Sequence, residues 1–475
     1  MNDARVATMV MSRRGLLDVA VAGYGLSAID ALMAGVPPSA LGGLDDAAIQ
    51  AIKPDGIAAM ALVAMAGGQV IETTLFGQAS QAFNVSVTDR TLFHLGSVGK
   101  HVTAVAVLRL AEQGKLALDA PLSRYVQGIA PGWSRATIHQ LLTHSGGLPG
   151  NFDGQDFDRP FTREKVSAFS KASLPVAAPG QVWVYSNVGY VLLGHVIENL
   201  TGDTYAQHIT ETLFRAHGLV DSRADDAEGI VPNRAEPLVW HDGVFRRAMQ
   251  MSSTVSSVGA GGLLMSARDV PAWERALSGR ALLDERSKTI MFTAARFDTG
   301  RSTGYGTGWR IESDGTGRPF FMHTGSVPGF RTYHFRAPVG DLALMLMAVG
   351  DTPMVPFGMA VTERQWHDRT PLARPAIADS APALTAALRA LVIDGKPVDA
   401  RFLAPELARL PLPIATDAIA RLDPEQRKRL KRFSLIEDVA TTADRQRRYI
   451  LDLGEQQIPL LACYSPEGLI YRVVI

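Results

Sequence analysis

A serine and a lysine three residues apart, Ser97 and Lys100, stand in the stretch T-L-F-H-L-G-S-V-G-K-H-V-T-A-V-A-V-L-R-L-A-E, Thr91 to Glu112. A serine hydroxyl is a poor nucleophile at neutral pH and needs a base beside it; a solvated lysine, with a pKa of about 10.4, cannot serve. Burial and the positive end of a helix both disfavour the ammonium form, and together they bring a lysine to where it can take the serine proton. The pair is then a nucleophile and its base. The plainer alternative is an N-cap serine followed by a surface lysine, because S-x-x-K is a short pattern.

The chemistry requires a particular mount. Thr91 to Leu95 has the apolar and aromatic character of an extended entry, Gly96 permits a sharp turn, and Ser97 suits an N-cap. Val98, Val102, Val105, Leu108 and Ala111 then recur at three- and four-residue spacing. That spacing predicts a helix with one apolar face, on which Ser97 and Lys100 are neighbours.

Two later stretches carry groups that would complete such a site. In P-G-Q-V-W-V-Y-S-N-V-G-Y, Pro179 to Tyr190, the residues Tyr185 and Asn187 lie two apart just before a predicted helix. A tyrosine beside a lysine can relay a proton to a leaving group, and an asparagine amide can hold a substrate carbonyl while binding the lysine. In F-F-M-H-T-G-S, Phe320 to Ser326, the Ser326 amide could pair with that of Ser97 to hold an oxyanion, and His323 could contact substrate or support Tyr185. Taken singly, Tyr185 is more often a core aromatic and His323 more often a satisfied structural histidine.

At 475 residues the chain exceeds one ordinary core, and two domains or a core with a large insertion are expected. Hydrophobic residues at 47% and charged ones at 20% are those of a globular protein. Lys plus Arg and Asp plus Glu number 47 each, and without a basic block nucleic-acid binding is not expected. The single cysteine, Cys463, excludes an internal disulfide and a cysteine-based metal site, H-E-x-x-H is absent, and no metal or cofactor is expected. Ser12 to Leu17 (S-R-R-G-L-L) has a twin-arginine look and Val19 to Val36 is weakly apolar. If this is an export signal the protein is periplasmic or secreted; if it is a plain amphipathic helix, cytoplasmic. Asp30 interrupts the run, so no integral membrane span is expected.

Apolar runs at Ile57 to Ala66 and Gln69 to Gln78, split by Gly67-Gly68, predict an antiparallel hairpin. Helical patterns dominate from about 115 to 290: Ile138 to Leu142, Tyr190 to Leu200, Tyr205 to Phe214 and Ala267 to Ser278. Strands return at Gly308 to Glu312, Phe320 to His323, Thr332 to Arg336 and Leu342 to Val349. The expected organisation is an N-terminal segment 1–46, an α/β body 47–369 whose antiparallel sheet is flanked by helices and carries an inserted helical domain, a linker 370–382, and a small α+β domain 383–475. In the last of these, Ala383 to Ile393 and Pro424 to Phe433 read as helices, and Arg448 to Leu453, Ile458 to Tyr464 and Leu469 to Val474 as strands.

S-V-G-K, Y-S-N and H-T-G, in that order, resemble the three motifs of the serine β-lactamase and penicillin-binding protein superfamily. The stretches G-K-L-A-L-D-A-P-L, L-L-T-H-S-G-G-L-P, A-G-G-L-L-M-S-A-R-D and Y-G-T-G-W are also similar to that family, over roughly Ala47 to Asp351. The resemblance is to the class C β-lactamase-like branch, with its D,D-peptidases, D-aminopeptidases, amidases and carboxylesterases. It implies the β-lactamase/transpeptidase-like fold. It also implies Ser97 as acylated nucleophile, Lys100 as base, Tyr185 as proton-transfer partner and Asn187 as substrate and lysine ligand. His323, Thr324 and Gly325 would bind substrate, with the Ser97 and Ser326 amides as oxyanion hole. Where most β-lactamases of the branch have lysine this chain has His323, largely neutral at pH 7 with an ordinary pKa of about 6.5. The expected substrate is therefore a D-configured peptide or amide or a small ester. The alternatives are a β-lactamase, or a binding protein that holds a cell-wall peptide without turning it over.

Gly300-Arg301-Ser302-Thr303-Gly304 matches a G-x-S-x-G elbow in letters but lacks the strand and helix around it, so Ser302 reads as a loop residue. Gly304, Gly306 and Gly308 open no helix and form no dinucleotide fingerprint. His144 reads as a residue that orders its loop.

Overall fold

The computed structural model describes residues 56–152, 162–226, 228–249, 259–314, 317–351, 354–366, 374–396, 400–410, 422–440, 444–454 and 457–474. The twin-arginine-like segment and the first residues of the expected linker, 370–373, lie outside them.

The hairpin is formed by β1 (Ile57–Ala66) and β2 (Gln69–Ser80), joined by Gly67 and Gly68, which both take positive φ as a two-residue hairpin turn requires. Nine of the ten β1 residues are buried. A strand covered on both faces needs a continuous apolar run rather than an alternating one, and I-A-A-M-A-L-V-A-M-A supplies it. After the short β3 (Val85–Ser86) and β4 (Leu92–His94) come α1 (Gly99–Glu112), α2 (Ile138–Leu142), α3 (Arg163–Ala172) and α4 (Asn187–Thr201). Tyr205–His208 is a helical turn that runs into a π-helical stretch, Ile209–Phe214.

The inserted stretch, whose pattern read as mostly helical, also contains strands. It carries β5 (Arg223–Ala224), a hairpin of β6 (Leu238–His241) and β7 (Val244–Arg247), and β8 (Leu263–Ser266), before α5 (Val270–Ser278) and α6 (Glu285–Met291). β4, β8 and β5 form a separate three-stranded antiparallel sheet.

The late strands are β9 (Arg310–Ser313), β10 (Pro319–Val327), β11 (Phe330–Ala337) and β12 (Leu342–Gly350). The main sheet has the order β3-β2-β1-β12-β11-β10-β9, so the first long strand pairs with the last, with Leu62 opposite Leu346. This closes the sheet around the insertion and gives the expected α/β architecture.

α1 departs from the amphipathic expectation. Eleven of its fourteen residues are buried, including Lys100, His101 and Thr103. A helix surrounded by protein must satisfy its polar side chains internally. Thr103 Oγ1 donates to the Gly259 carbonyl at 2.6 Å. His101 stacks on Trp309 with ring centroids 3.5 Å apart and meets His334 of β11 through their Nδ1 atoms at 3.3 Å. His334 in turn contacts Glu274 of α5 at 2.8 Å.

Beyond the sheet, α7 (Met354–Gln365) and α8 (Pro382–Val392) precede a small four-stranded antiparallel sheet of β13 (Arg432–Ala440), β14 (Arg445–Asp452), β15 (Gln457–Tyr464) and β16 (Ile470–Val474). β13 corrects the sequence reading, which ran the preceding helix to Phe433; that helix is Pro424–Arg429. The charges that obscured the strand are paired: Asp438 with Arg445 at 2.6 Å and Glu437 with Arg374 at 3.2 Å. This α+β unit has its own core around Leu388, Leu435, Tyr449, Leu460 and Tyr464. Arg448, nearly fully buried, joins it to the main sheet through Glu312 at 2.8 Å. Among the described residues no helix is long and apolar enough to cross a membrane.

Candidate active site

β4 ends in a tight turn that sets Ser97 at the head of α1. Gly96 has φ +53°, and residues Gly96–Val98 form a single 3-10 turn. Ser97 is not the N-cap. Val98 precedes the helix with helical dihedrals and no side chain caps it, so the Ser97 hydroxyl is not spent on the backbone. Gly96 and Gly325 let two chain segments touch here. A Cβ on Gly96 would lie 2.8 Å from Ser326 N, and one on Gly325 would collide with the Leu95 carbonyl oxygen. The backbone of Ser326 thus lies against the turn that carries Ser97.

Lys100 is fully buried. Its Nζ lies 3.1 Å from Ser97 Oγ, 2.8 Å from Asn187 Oδ1 and 2.6 Å from the Ala260 carbonyl oxygen. All three partners are neutral. Burial alone drives its pKa well below the ordinary lysine value.

Asn187 and Tyr185 are mounted by the loops around them. Ser186 is the N-cap of α4, its Oγ accepting from Gly189 N and donating to Pro149 O at 2.6 Å. Asn187 N donates to Gly150 O at 2.7 Å, and its Nδ2 donates to Asn151 Oδ1 at 2.7 Å, which turns Oδ1 toward Lys100. His144 orders the loop as its sequence context suggested. It takes φ +59°, its carbonyl accepts from Val184 N and its Nδ1 accepts from Ser186 N at 3.0 Å. The Tyr185 ring packs on His144, with centroids 4.4 Å apart, and 4.9 Å from Lys100 Nζ. Tyr185 Oη is buried without a well-formed hydrogen bond; burial raises its pKa, and the nearby Ser97 hydroxyl and Arg310 draw it back down.

The third motif is placed differently from the expectation for its histidine. His323 is buried, with Nδ1 2.7 Å from the Thr324 carbonyl oxygen and Nε2 2.9 Å from Tyr305 Oη. A carbonyl only accepts, so the ring proton is on Nδ1 and Tyr305 donates to Nε2. Burial, then Lys100 and Arg310, lower its pKa to about 3, and the ring is neutral. With both nitrogens engaged inside the protein, His323 supports Tyr305 and has no ring nitrogen left without a partner. Thr324 is half-buried and Ser326 exposed on the same strand. Ser302, the elbow look-alike, spends its hydroxyl on Gly304 N at 3.1 Å within its loop.

Ala260, Asn151 and Tyr305 were not assigned roles from sequence. Ala260 acts through its carbonyl and so leaves no side-chain signal, although A-G-G and Y-G-T-G-W stood out as patterns. Nor did the sequence show what holds the Tyr185 segment from behind. Val182 is buried in the core of the C-terminal α+β unit, with Val176, Ala177 and Val184 packed on the same cluster, while Trp183 packs with Phe297, Leu461 and Tyr471. The C-terminal unit thus forms the back wall of the extended segment that ends in Tyr185.

Residues 44–364 match the family model described as Beta-lactamase. The chain belongs to this family. It is 26% identical over 300 residues to a penicillin-binding protein of Bacillus subtilis (strain 168), covering 58% of this chain and 64% of that protein. With the D-alanyl-D-alanine-carboxypeptidase/endopeptidase AmpH of Escherichia coli (strain K12) it shares 27% over 327 residues, 64% of this chain and 82% of that one. With Esterase EstB of Burkholderia gladioli it shares 34% over 211 residues, 39% and 51% of the two chains. Among solved structures, SurE superposes with a TM-score of 0.61 at 22% identity over 92% of this chain and 98% of its own. The D-amino acid amidase of Ochrobactrum anthropi SV3 superposes with a TM-score of 0.57 at 23% identity over 72% and 98%. These two likenesses establish the fold, C-terminal unit included in the case of SurE's coverage.

Proposed function

We propose that the protein is a serine hydrolase that works through an acyl-enzyme at Ser97, on D-configured peptides or amides or on small esters. One observation carries this reading: a buried lysine whose nitrogen touches the Ser97 hydroxyl and otherwise meets only neutral acceptors. A neutral amine has two N–H groups and one lone pair. Asn187 Oδ1 and the Ala260 carbonyl take the two hydrogens, and the lone pair is left facing Ser97 Oγ.

In the forward step Ser97 Oγ forms a bond to the substrate carbonyl carbon as its proton passes to Lys100. The resulting oxyanion lies against the amides of Ser97 and Ser326, where fixed donors stabilise charge without reorganising. Collapse breaks the bond to the leaving amine or alkoxide, which takes its proton from Tyr185, and Lys100 reprotonates Tyr185. Water then adds to the acyl group by the same path in reverse, releasing the acid and restoring Ser97. Asn187 holds Lys100 and, at the rim, the acyl amide; Thr324 and Gly325 line the β10 edge against which substrate lies.

The substrate class follows from His323. A neutral, buried ring engaged by Tyr305 provides no cation for a substrate carboxylate, so neutral peptides, amides and esters are favoured over penicillins. The names of the relatives, a carboxypeptidase/endopeptidase, an esterase and an amidase, are consistent with that range. Labelling with a fluorophosphonate and mapping the adduct by mass spectrometry tests the nucleophile; an adduct elsewhere, or undiminished turnover by Ser97→Ala, refutes it. Comparing kcat/KM for a cephalosporin, a D-alanyl peptide and a p-nitrophenyl ester tests the substrate. A hundredfold preference for the cephalosporin, about 2.7 kcal/mol, would make the protein a β-lactamase.

A further inference from the structure

His94 lies two residues before Gly96 and has no part in the chemistry above, yet it is almost completely buried beside the nucleophile turn. Its Nδ1 accepts a hydrogen bond from Gly96 N at 3.0 Å. That amide belongs to the glycine whose positive φ turns the chain into Ser97. A neutral imidazole that accepts at Nδ1 carries its proton on Nε2. Nε2 faces Asp225 Oδ2 at 3.8 Å, beyond hydrogen-bond length but close enough for the carboxylate to favour an N–H over a lone pair. Asp225 has a fully buried side chain and is held by Arg234 Nη2 at 2.8 Å.

The small three-stranded sheet accounts for this alignment. His94 pairs with Leu264 of the central strand β8. On the other side of β8, Ala224 pairs with Leu263, and Asp225 N donates to the Gly262 carbonyl at 2.9 Å. His94 and Asp225 therefore meet across β8, the strand that follows the Ala260 carbonyl held by Lys100. Arg234 is fixed to the same sheet, since Leu92 N donates to Asn233 O at 2.8 Å and Ala235 N to Leu92 O at 3.0 Å. One brace thus sits under both halves of the nucleophile–base pair.

We propose that His94 is a positioning residue for Ser97, with Asp225 selecting the tautomer that lets Nδ1 accept from the Gly96 amide. The alternative tautomer would set two N–H groups against each other 3.0 Å apart, and the turn would have to open. Burial, opposed by Asp225 and assisted by Arg234, lowers the His94 pKa to about 4, so the ring is neutral at working pH. This inference rests on the reading of Ser97 as nucleophile.

The test compares replacements that copy different ring nitrogens. His94→Asn places Oδ1 where Nδ1 stood and can take the Gly96 N–H in an Asx-type turn, whereas His94→Gln and His94→Leu cannot. With a p-nitrophenyl ester on the full-length protein, Asn is expected to retain kcat to within about threefold, while Gln and Leu lose about tenfold or more in kcat with KM within about twofold. Asp225→Asn should lose several-fold in kcat, and the double variant with His94→Leu should be no worse than His94→Leu alone, because the two act through one contact. Equal activity of the Asn and Gln variants, or additive losses in the double variant, overturns the proposal; the Asn–Gln comparison stands even if the Leu variant does not fold. Fluorophosphonate mapping of the wild type separates a failure of this proposal from a failure of the Ser97 reading, since only the latter moves the adduct.

Discussion

Replacing Asn187 by Asp changes one atom type beside Lys100 Nζ and should move the pH dependence of the reaction. In the wild type the amide oxygen lies 2.8 Å from Nζ, and no carboxylate partner raises the lysine pKa. A carboxylate at that distance would attract the ammonium by about 6 kcal/mol at an effective dielectric of about 20, equivalent to about four pKa units. Two effects reduce this. The carboxylate is itself partly desolvated, and it meets Asn151 Oδ1 where the Nδ2 donor stood, which tilts it away. A shift of about two units remains. The sign follows from the proposed mechanism, in which Lys100 works as the neutral amine, so raising its pKa moves the rise of activity to higher pH. The assay is kcat/KM for a p-nitrophenyl ester from pH 5 to 10 on wild type, Asn187→Asp and Asn187→Ala. Loss of the proposed substrate contact lowers both variants at every pH, but only Asp should displace the acid limb upward, with about a fiftyfold loss at the pH of the wild-type half-maximum. An Asp profile that is lowered but not displaced would remove Lys100 from the role of base.

His323→Lys would place an ammonium in a buried site already within the field of Lys100 and Arg310, and is expected to lower Tm by several degrees without improving carboxylate-bearing substrates; improved cephalosporin turnover would contradict the buried placement of this side chain. Val182→Ala should cost about 2 kcal/mol in chemical denaturation and also reduce kcat, because it opens a gap in the wall behind Tyr185; an unchanged kcat would uncouple the C-terminal unit from the site. His94 and His323 have folded pKa values of about 4 and about 3, below the unfolded value, so the unfolded chain binds more protons between those values and about 6.5. Their contribution to stability is full above pH 6.5 and is lost as pH falls through that window, which Tm measured from pH 7 to 4 should show as a decline, made shallower in His94→Asn.

The sequence by itself determined which residues could do chemistry together and the limits of two of its elements. Ile57–Ala66 and Ile138–Leu142 match their predicted limits, because a double-glycine turn in one case and a Thr137–Gln140 capping box in the other are written in consecutive residues. The ordered motifs likewise named Ser97, Lys100, Tyr185 and Asn187, which the fold brings together. Tertiary structure decided whatever depends on partners distant along the chain. The pairing of β1 with β12 is set by a sheet that closes around a long insertion, and β13 was hidden because its charges are answered by arginines elsewhere in the chain. Burial of α1 on all sides could not be read from its sequence, since His101 and Thr103 look exposed until His334 and the Gly259 carbonyl are placed against them. His323 is the clearest case. Its residue type leaves a ring of ordinary pKa near neutrality, but Tyr305 and the Thr324 carbonyl decided which way each nitrogen faces, because a histidine's hydrogen bonds are fixed by neighbours that local sequence does not specify.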